Sequence, residues 1–223
     1  MAARGPFGRL GLPMLLPLAA FQRSVDESIR IISATESLWL ASAPTSQLRR
    51  QLTVAQLEAL YEAAFLRIFA AWEEYLEASC VRLMAGKGTP TYTPLAAPGV
   101  TTFRTQQIAR AVLFNSRTYL LWHNPRTVIN RVSGWLDSCP IETVVTANQP
   151  EIENIAAVRH AIAHGSQDAR AKLGVATAAL SGVLHTSPGH FLRSADNSDP
   201  LNPRKWVRVL TTRLEDFAHQ INS

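Results

Sequence analysis

The residues best placed to do chemistry fall in one short stretch, Val158-Arg159-His160-Ala161-Ile162-Ala163-His164-Gly165-Ser166. A guanidinium, charged at any working pH, stands five positions ahead of one imidazole and directly before another. RNA carries its own nucleophile in the 2′-hydroxyl. A protein can therefore cleave it without a metal by supplying acid–base help and a cation for the charged phosphorane. Imidazole suits the first role because it titrates near neutral pH; arginine suits the second through bidentate phosphate contacts. A plainer account fits the same residues, namely a histidine at a helix end and an arginine bound to a core carboxylate. On the residues alone that account stands ahead. His160 and His164 are also spaced like metal ligands, four apart on a helix, but no Cys, Asp or Glu completes a set in sequence. Neither a metal nor any other cofactor is expected.

A helix must carry this stretch. Gln149-Pro150-Glu151 is suited to open it, with Pro at the first turn and Glu151 and Glu153 at the positive end of the dipole. Ile152, Ile155, Arg159 and Ile162 then follow at helical steps, which puts Arg159 in line with a core-facing stripe. Gly165 marks the stop, and His164 suits the negative helix end. Residues five apart on an ideal helix point roughly 140° from each other. Arg159 and His164 therefore converge only if the helix ends there, or if a second subunit completes the site. For the arginine's partner, Glu73 and Glu74 in Ala71-Trp72-Glu73-Glu74-Tyr75-Leu76-Glu77 are the candidates. Three glutamates on a helix more commonly form a solvated face, but a carboxylate beside Trp72 and Tyr75 could reach the interior and pair with Arg159. His123, His185, His190 and His219 are isolated in sequence and read as structural or surface groups.

The remaining chain reads as helices. Phe21, Val25, Ile29 and Ile32 mark a first amphipathic helix. Thr53-Val54-Ala55-Gln56 is a capping box that opens the longest pattern, running to about Ala85. Gly86, Gly88 and the prolines at 90, 94 and 98 then force a loop. A weaker helix is predicted near 102–116, another from Asn124-Pro125 through Val128, Val132 and Trp135, and one after Ser166 through Leu184. His190-Phe191-Leu192-Arg193 reads as a short extended piece, and Asn202-Pro203 opens a last helix. No repeat and no strand set is evident. The fold class is all-α: a helical bundle with an N-terminal arm over residues 1–17 and one domain over 18–223.

The 223 residues are 47% hydrophobic and 17% charged, which fits a soluble globular chain with a substantial core and excludes disorder. A net charge of +5 is compatible with an anionic partner, although the basic residues are scattered. Cys80 and Cys139 form no disulfide framework, and a reducing cytoplasm fits. Arg4 and Arg9 ahead of the apolar run 10–21 imitate a secretory signal, but Pro13 and Pro17 interrupt the run and no clear cleavage site follows. The run is too short to span a bilayer, so an apolar arm packed on the body is expected, with no membrane partner. Walker loops, dinucleotide fingerprints and nucleophile elbows are absent from the sequence.

Taken together, these residues resemble the HEPN-domain ribonuclease family, whose members carry Arg, a polar residue and a His four to six positions on. Arg159, His160 and His164 match that motif. More narrowly, Trp72-Glu73-Glu74-Tyr75-Leu76-Glu77, Leu121-Trp122 with Asn124-Pro125, Ala161-Ile162-Ala163-His164-Gly165 and Pro188-Gly189-His190-Phe191-Leu192 are similar to the signatures of its RiboL-PSP branch. The resemblance spans roughly residues 20–222. It implies a HEPN-like bundle and a metal-independent endoribonuclease acting on an RNA substrate as a homodimer, its two motifs facing across a cleft. Such proteins serve as toxins or as effectors of phage defence and abortive infection, some beside an antitoxin or another defence-system partner. Arg159 and His164 would be catalytic, and His160 would orient them or touch phosphate. Toxins silenced through a Tyr two residues after the motif His differ here, because Ser166 holds that place. Two alternatives stand beside the enzyme. One is a non-catalytic HEPN module binding RNA, nucleotide or a partner protein. The other is a structural subunit of a defence assembly that uses the loop at 87–100 or the N-terminal arm as its contact.

Overall fold

Thr53 opens the longest helix with a complete capping box: its hydroxyl accepts the Gln56 N–H, and the Gln56 side chain accepts the Thr53 N–H. The computed structural model describes residues 16–223. Its elements are helices α1 (Pro17–Ala41), α2 (Gln47–Gln51), α3 (Val54–Met84), α4 (Gln106–Phe114), α5 (Pro125–Ser133), α6 (Pro140–Ala147), α7 (Gln149–Ala163), α8 (Gln167–Ser181), α9 (Pro188–Arg193) and α10 (Trp206–Asn222). Two-residue strands β1 (Ala195–Asp196) and β2 (Arg204–Lys205) pair antiparallel, Ala195 opposite Lys205. The protein is an all-α bundle, and no described helix is long and apolar enough to cross a membrane.

The core gathers around α3. Trp72, Tyr61, Phe65, Phe69 and Leu57 are fully buried on it, and α1 lies along it through Phe21, Val25, Ile29 and Ile32. Phe21 packs against both Trp72 and Tyr75, and Phe217 of α10 meets Trp72 from another side. Both cysteines are buried and unbridged; the Cys80 thiol is pushed up by burial, which leaves it an inert core residue.

The loop between α3 and α4 is tied down along its length. Thr91 donates its N–H to the Ser223 carbonyl, the Tyr92 hydroxyl donates to the Asp137 carbonyl, and Ala96 bridges to Leu136. A second set of ties closes around Glu36 of α1. Its buried carboxylate accepts from the Tyr61 hydroxyl, lies 2.9 Å from Arg193 Nε and 2.6 Å from Lys205 Nζ. Burial alone would raise the Glu36 pKa, but the Lys205, Tyr61 and Arg193 hydrogen bonds outweigh it and hold the carboxyl below its ordinary value.

Several sequence expectations need correction. Residues 190–193 are not extended but belong to α9, because Ser187 accepts the His190 N–H and Pro188 occupies the first turn. The last helix starts at Trp206 and not at Asn202-Pro203, since Arg204 and Lys205 first pair with β1. That ribbon and the helices α2 and α6 had no counterpart in the pattern reading. The proposed arm, 1–17, lies outside the described residues except for its last two, and Pro17 already stands in the first turn of α1.

Candidate active site

Glu73 is the centre of the site. It sits within α3 between Trp72 and Tyr75, and only a tenth of its side chain reaches solvent. One carboxylate oxygen, Oε1, accepts from the Tyr119 hydroxyl at 2.8 Å and lies 3.2 Å from His123 Nδ1. The other, Oε2, faces Arg159 at 3.8 Å. Burial works to raise the Glu73 pKa; the hydrogen bonds from His123 and Tyr119, and then the Arg159 charge, prevail and hold it below its ordinary value. A buried anion with two neutral-capable donors and a cation around it stays ionised at neutral pH.

Arg159 reaches Glu73 from α7. The buried face of that helix is Ile152, Ile155, Val158 and Ala161, so Arg159 lies at the stripe's edge, three-quarters buried, and not within it as the spacing suggested. This border position lets the aliphatic stem cover the core while the guanidinium turns to the carboxylate. Of the two candidate glutamates only Glu73 joins the site. Glu74 points to solvent and makes no side-chain hydrogen bond or ion pair among the described residues. Glu77, one turn further, accepts from Trp122 Nε1 at 3.2 Å and pairs with Arg110 at 2.8 Å.

The helix ends just ahead of Gly165, as the sequence predicts. α7 stops at Ala163, and His164 leaves helical backbone at φ −135° and ψ 104° while its N–H still bonds the His160 carbonyl. The side chain of His164 is exposed, with its ring centroid 4.6 Å from that of His160. The His160 pKa is lowered first by burial and then by His164, Lys172 and Arg159, so its ring favours the neutral form. Ser166 uses its hydroxyl to cap α8, accepting the Ala169 N–H at 3.2 Å. The structure thus joins Arg159 to Glu73 and His160 to His164. No hydrogen bond connects Arg159 with His164 among the described residues; the two stand at the same end of one helix, one facing the body and one facing solvent.

His123, read from the sequence as isolated, belongs to the site. It is held between Glu73 and Tyr119, whose hydroxyl lies 3.1 Å from Nδ1 and whose ring stacks on the imidazole at 17°. The next residue, Asn124, caps α5 by accepting the Thr127 N–H, and this fixes the backbone that carries His123. His185 and His190 are not isolated either, since their Nδ1 atoms lie 3.4 Å apart; His219 meets Gln22 at 3.0 Å. No group of three or more His, Cys, Asp or Glu side chains is placed to hold a metal among the described residues.

On the other side of Glu73 and Tyr119 opens a cleft of about 1000 Å³ between the start of α1, the middle of α3 and the chain around α4. Glu74, Glu77, Arg82, Gln107, Arg110 and Trp122 stand along it, while Arg159 and His164 do not. Compared with known proteins, the chain gives no significant match to a family model, a curated protein or a solved structure.

Proposed function

We propose that this protein is a metal-independent endoribonuclease of HEPN type that works as a homodimer, in the setting of a toxin or an anti-phage defence effector. The observation that carries the reading is the exposed His164 packed at 4.6 Å on His160 at the end of the helix that bears Arg159; the Arg159–Glu73 pair fits this reading and the plainer one alike. In this mechanism the substrate's 2′-hydroxyl attacks the adjacent phosphorus and the 5′-oxygen leaves, giving a 2′,3′-cyclic phosphate. Arg159, steadied by Glu73, offers its guanidinium to the charge that grows on the phosphorane oxygens. His164 moves a proton, and the neutral-leaning ring of His160 packs against it and sets its orientation. A second protomer brings its own copy of the motif to face the first.

Cleavage of bulk RNA by purified protein in EDTA tests this, beside His164→Ala and Arg159→Ala variants that elute as the wild type does. Wild-type cleavage should persist in EDTA, and each variant should lose on the order of 10²-fold or more. Activity surviving in both variants would overturn the assignment. A requirement for added divalent metal would overturn the metal-free mechanism, and a monomer on gel filtration the paired site.

A second reading has its own support in the cleft beside Glu73, whose mixture of glutamates, glutamine, arginine and an indole suits a nucleotide or RNA segment. On that reading the protein binds without chemistry. RNA held equally well by wild type and His164→Ala, and shortened by neither, would favour it.

A further inference from the structure

The proposed cleavage moves two protons. One leaves the 2′-hydroxyl as the O2′–P bond forms, and one must reach the 5′-oxygen as the P–O5′ bond breaks. His164 can serve one of these in a turnover. Arg159 can serve neither, because a guanidinium does not give up its proton. The second transfer falls either to the other protomer's copy of the motif histidine or to an imidazole anchored on the same carboxylate as Arg159.

His123 is anchored on the same carboxylate as Arg159. Its Nδ1 lies 3.2 Å from Glu73 Oε1 and 3.1 Å from the Tyr119 hydroxyl, so a proton on Nδ1 has both oxygens as acceptors. The other ring nitrogen, Nε2, has no hydrogen-bond partner among the described residues, and the side chain is 30% exposed. This is the arrangement by which a carboxylate fixes an imidazole's tautomer and leaves the far nitrogen for substrate. The opposite oxygen of the same carboxylate faces Arg159 at 3.8 Å, so one buried group positions both the guanidinium and the imidazole. Tyr119 stacks on the ring, and the Asn124 cap fixes the backbone next to it.

Resting on the ribonuclease reading, we propose that His123 is a catalytic residue of the same site, the general acid to His164's general base. His164, entering the turnover neutral, takes the 2′-hydroxyl proton as the O2′–P bond forms, and His123, entering it as the imidazolium with Nδ1–H on Glu73, gives its Nε2 proton to the departing 5′-oxygen. The products are a 2′,3′-cyclic phosphate and a 5′-hydroxyl. Exchange with water then returns both rings to their starting protonation, and no metal, oxidant or other reactant enters the balance. Glu73 and Tyr119 are positioning residues in this scheme.

The test compares two RNAs, one natural and one with sulfur in place of the bridging 5′-oxygen at the cleavage position. A thiolate leaves without protonation, so the second substrate needs no general acid. Wild type should cleave both. His123→Ala should lose about 10²–10⁴-fold on the natural RNA and recover to near wild-type rate on the sulfur-bridged one, a recovery that also proves the variant folded. His164→Ala should fail on both. Wild-type rate for His123→Ala on natural RNA, or equal loss on both substrates, would overturn the role of His123 while leaving the ribonuclease reading intact. His123→Gln, which keeps a hydrogen bond to Glu73, should show the same rescue; an equal deficit on both substrates there too would mark a purely structural histidine. Silence of the wild type on both RNAs would overturn the ribonuclease reading and this role with it.

Discussion

Glu73 shows how much one side chain can organise. Its two oxygens gather Tyr119, His123 and Arg159 from two other parts of the chain; Tyr119 and His123 also meet each other, while Arg159 has no other ion-pair partner among the described residues. Glu73→Ala should therefore cost about 3 kcal/mol, because it leaves a three-quarters-buried guanidinium without its counter-charge. Urea denaturation should show a lowered midpoint at unchanged slope, and a cost under about 0.5 kcal/mol would mean that Arg159 turns readily to solvent. The sequence made Arg159, His160 and His164 visible because they lie within six positions, where helical geometry links spacing to direction. It named Glu73 and Glu74 together without separating them, and burial beside Trp72 is what selects the first. His123 was out of reach altogether: its partner is 50 residues away, and no periodicity reports a contact of that kind.

At the scale of elements, the long amphipathic helices were legible and the short ones were not. Val54–Met84 follows its pattern almost to the residue because a capping box and a terminal glycine bound it. α6 is hidden because its eight residues, Pro140–Ala147, are too few to show a period. α9 escaped because six residues are too few to show a period. Its position is nevertheless tightly specified. A Cβ on Gly189 would come within 2.8 Å of Glu58 Cβ and 2.9 Å of the Glu58 carbonyl, and the Gly189 N–H already donates to Glu62 at 2.8 Å. Gly189→Ala should force α9 off α3 and cost about 1–3 kcal/mol, read as a drop in melting temperature. A change below about 0.5 kcal/mol would show that α9 shifts freely along α3.

For the molecule as a whole, the all-α class and the single path of the core through every long helix followed from composition and pattern. The irregular segments did not, because they are fixed by long-range ties such as Thr91 to Ser223 and Ala96 to Leu136. Two buried carboxylates set the acid limit. Glu36 and Glu73 both have pKa values below the ordinary 4.5 in the folded chain, so their stabilisation is complete above about pH 4.5 and drains away as pH falls through the lower folded values. Glu62 and Glu215, raised mainly by burial, work in the opposite sense and offset part of the loss. Melting temperature should accordingly fall from about pH 5 to pH 3, and the fall should be shallower in a Glu36→Gln, Glu73→Gln double variant. An equal slope in both would place the acid sensitivity elsewhere.

The Glu36 cluster also bears on time. It joins α1 to Arg193, 157 positions along the chain, and to Lys205 further on. Closing a loop of that length brings little reward until the intervening helices have packed; Glu36→Gln should therefore speed unfolding at an unchanged folding rate in stopped-flow kinetics, and slowed folding instead would overturn this. Interactions made after the folding barrier leave the folding rate untouched and act on the reverse step. The carboxylate thus serves as a latch whose worth is the slowness with which the chain opens.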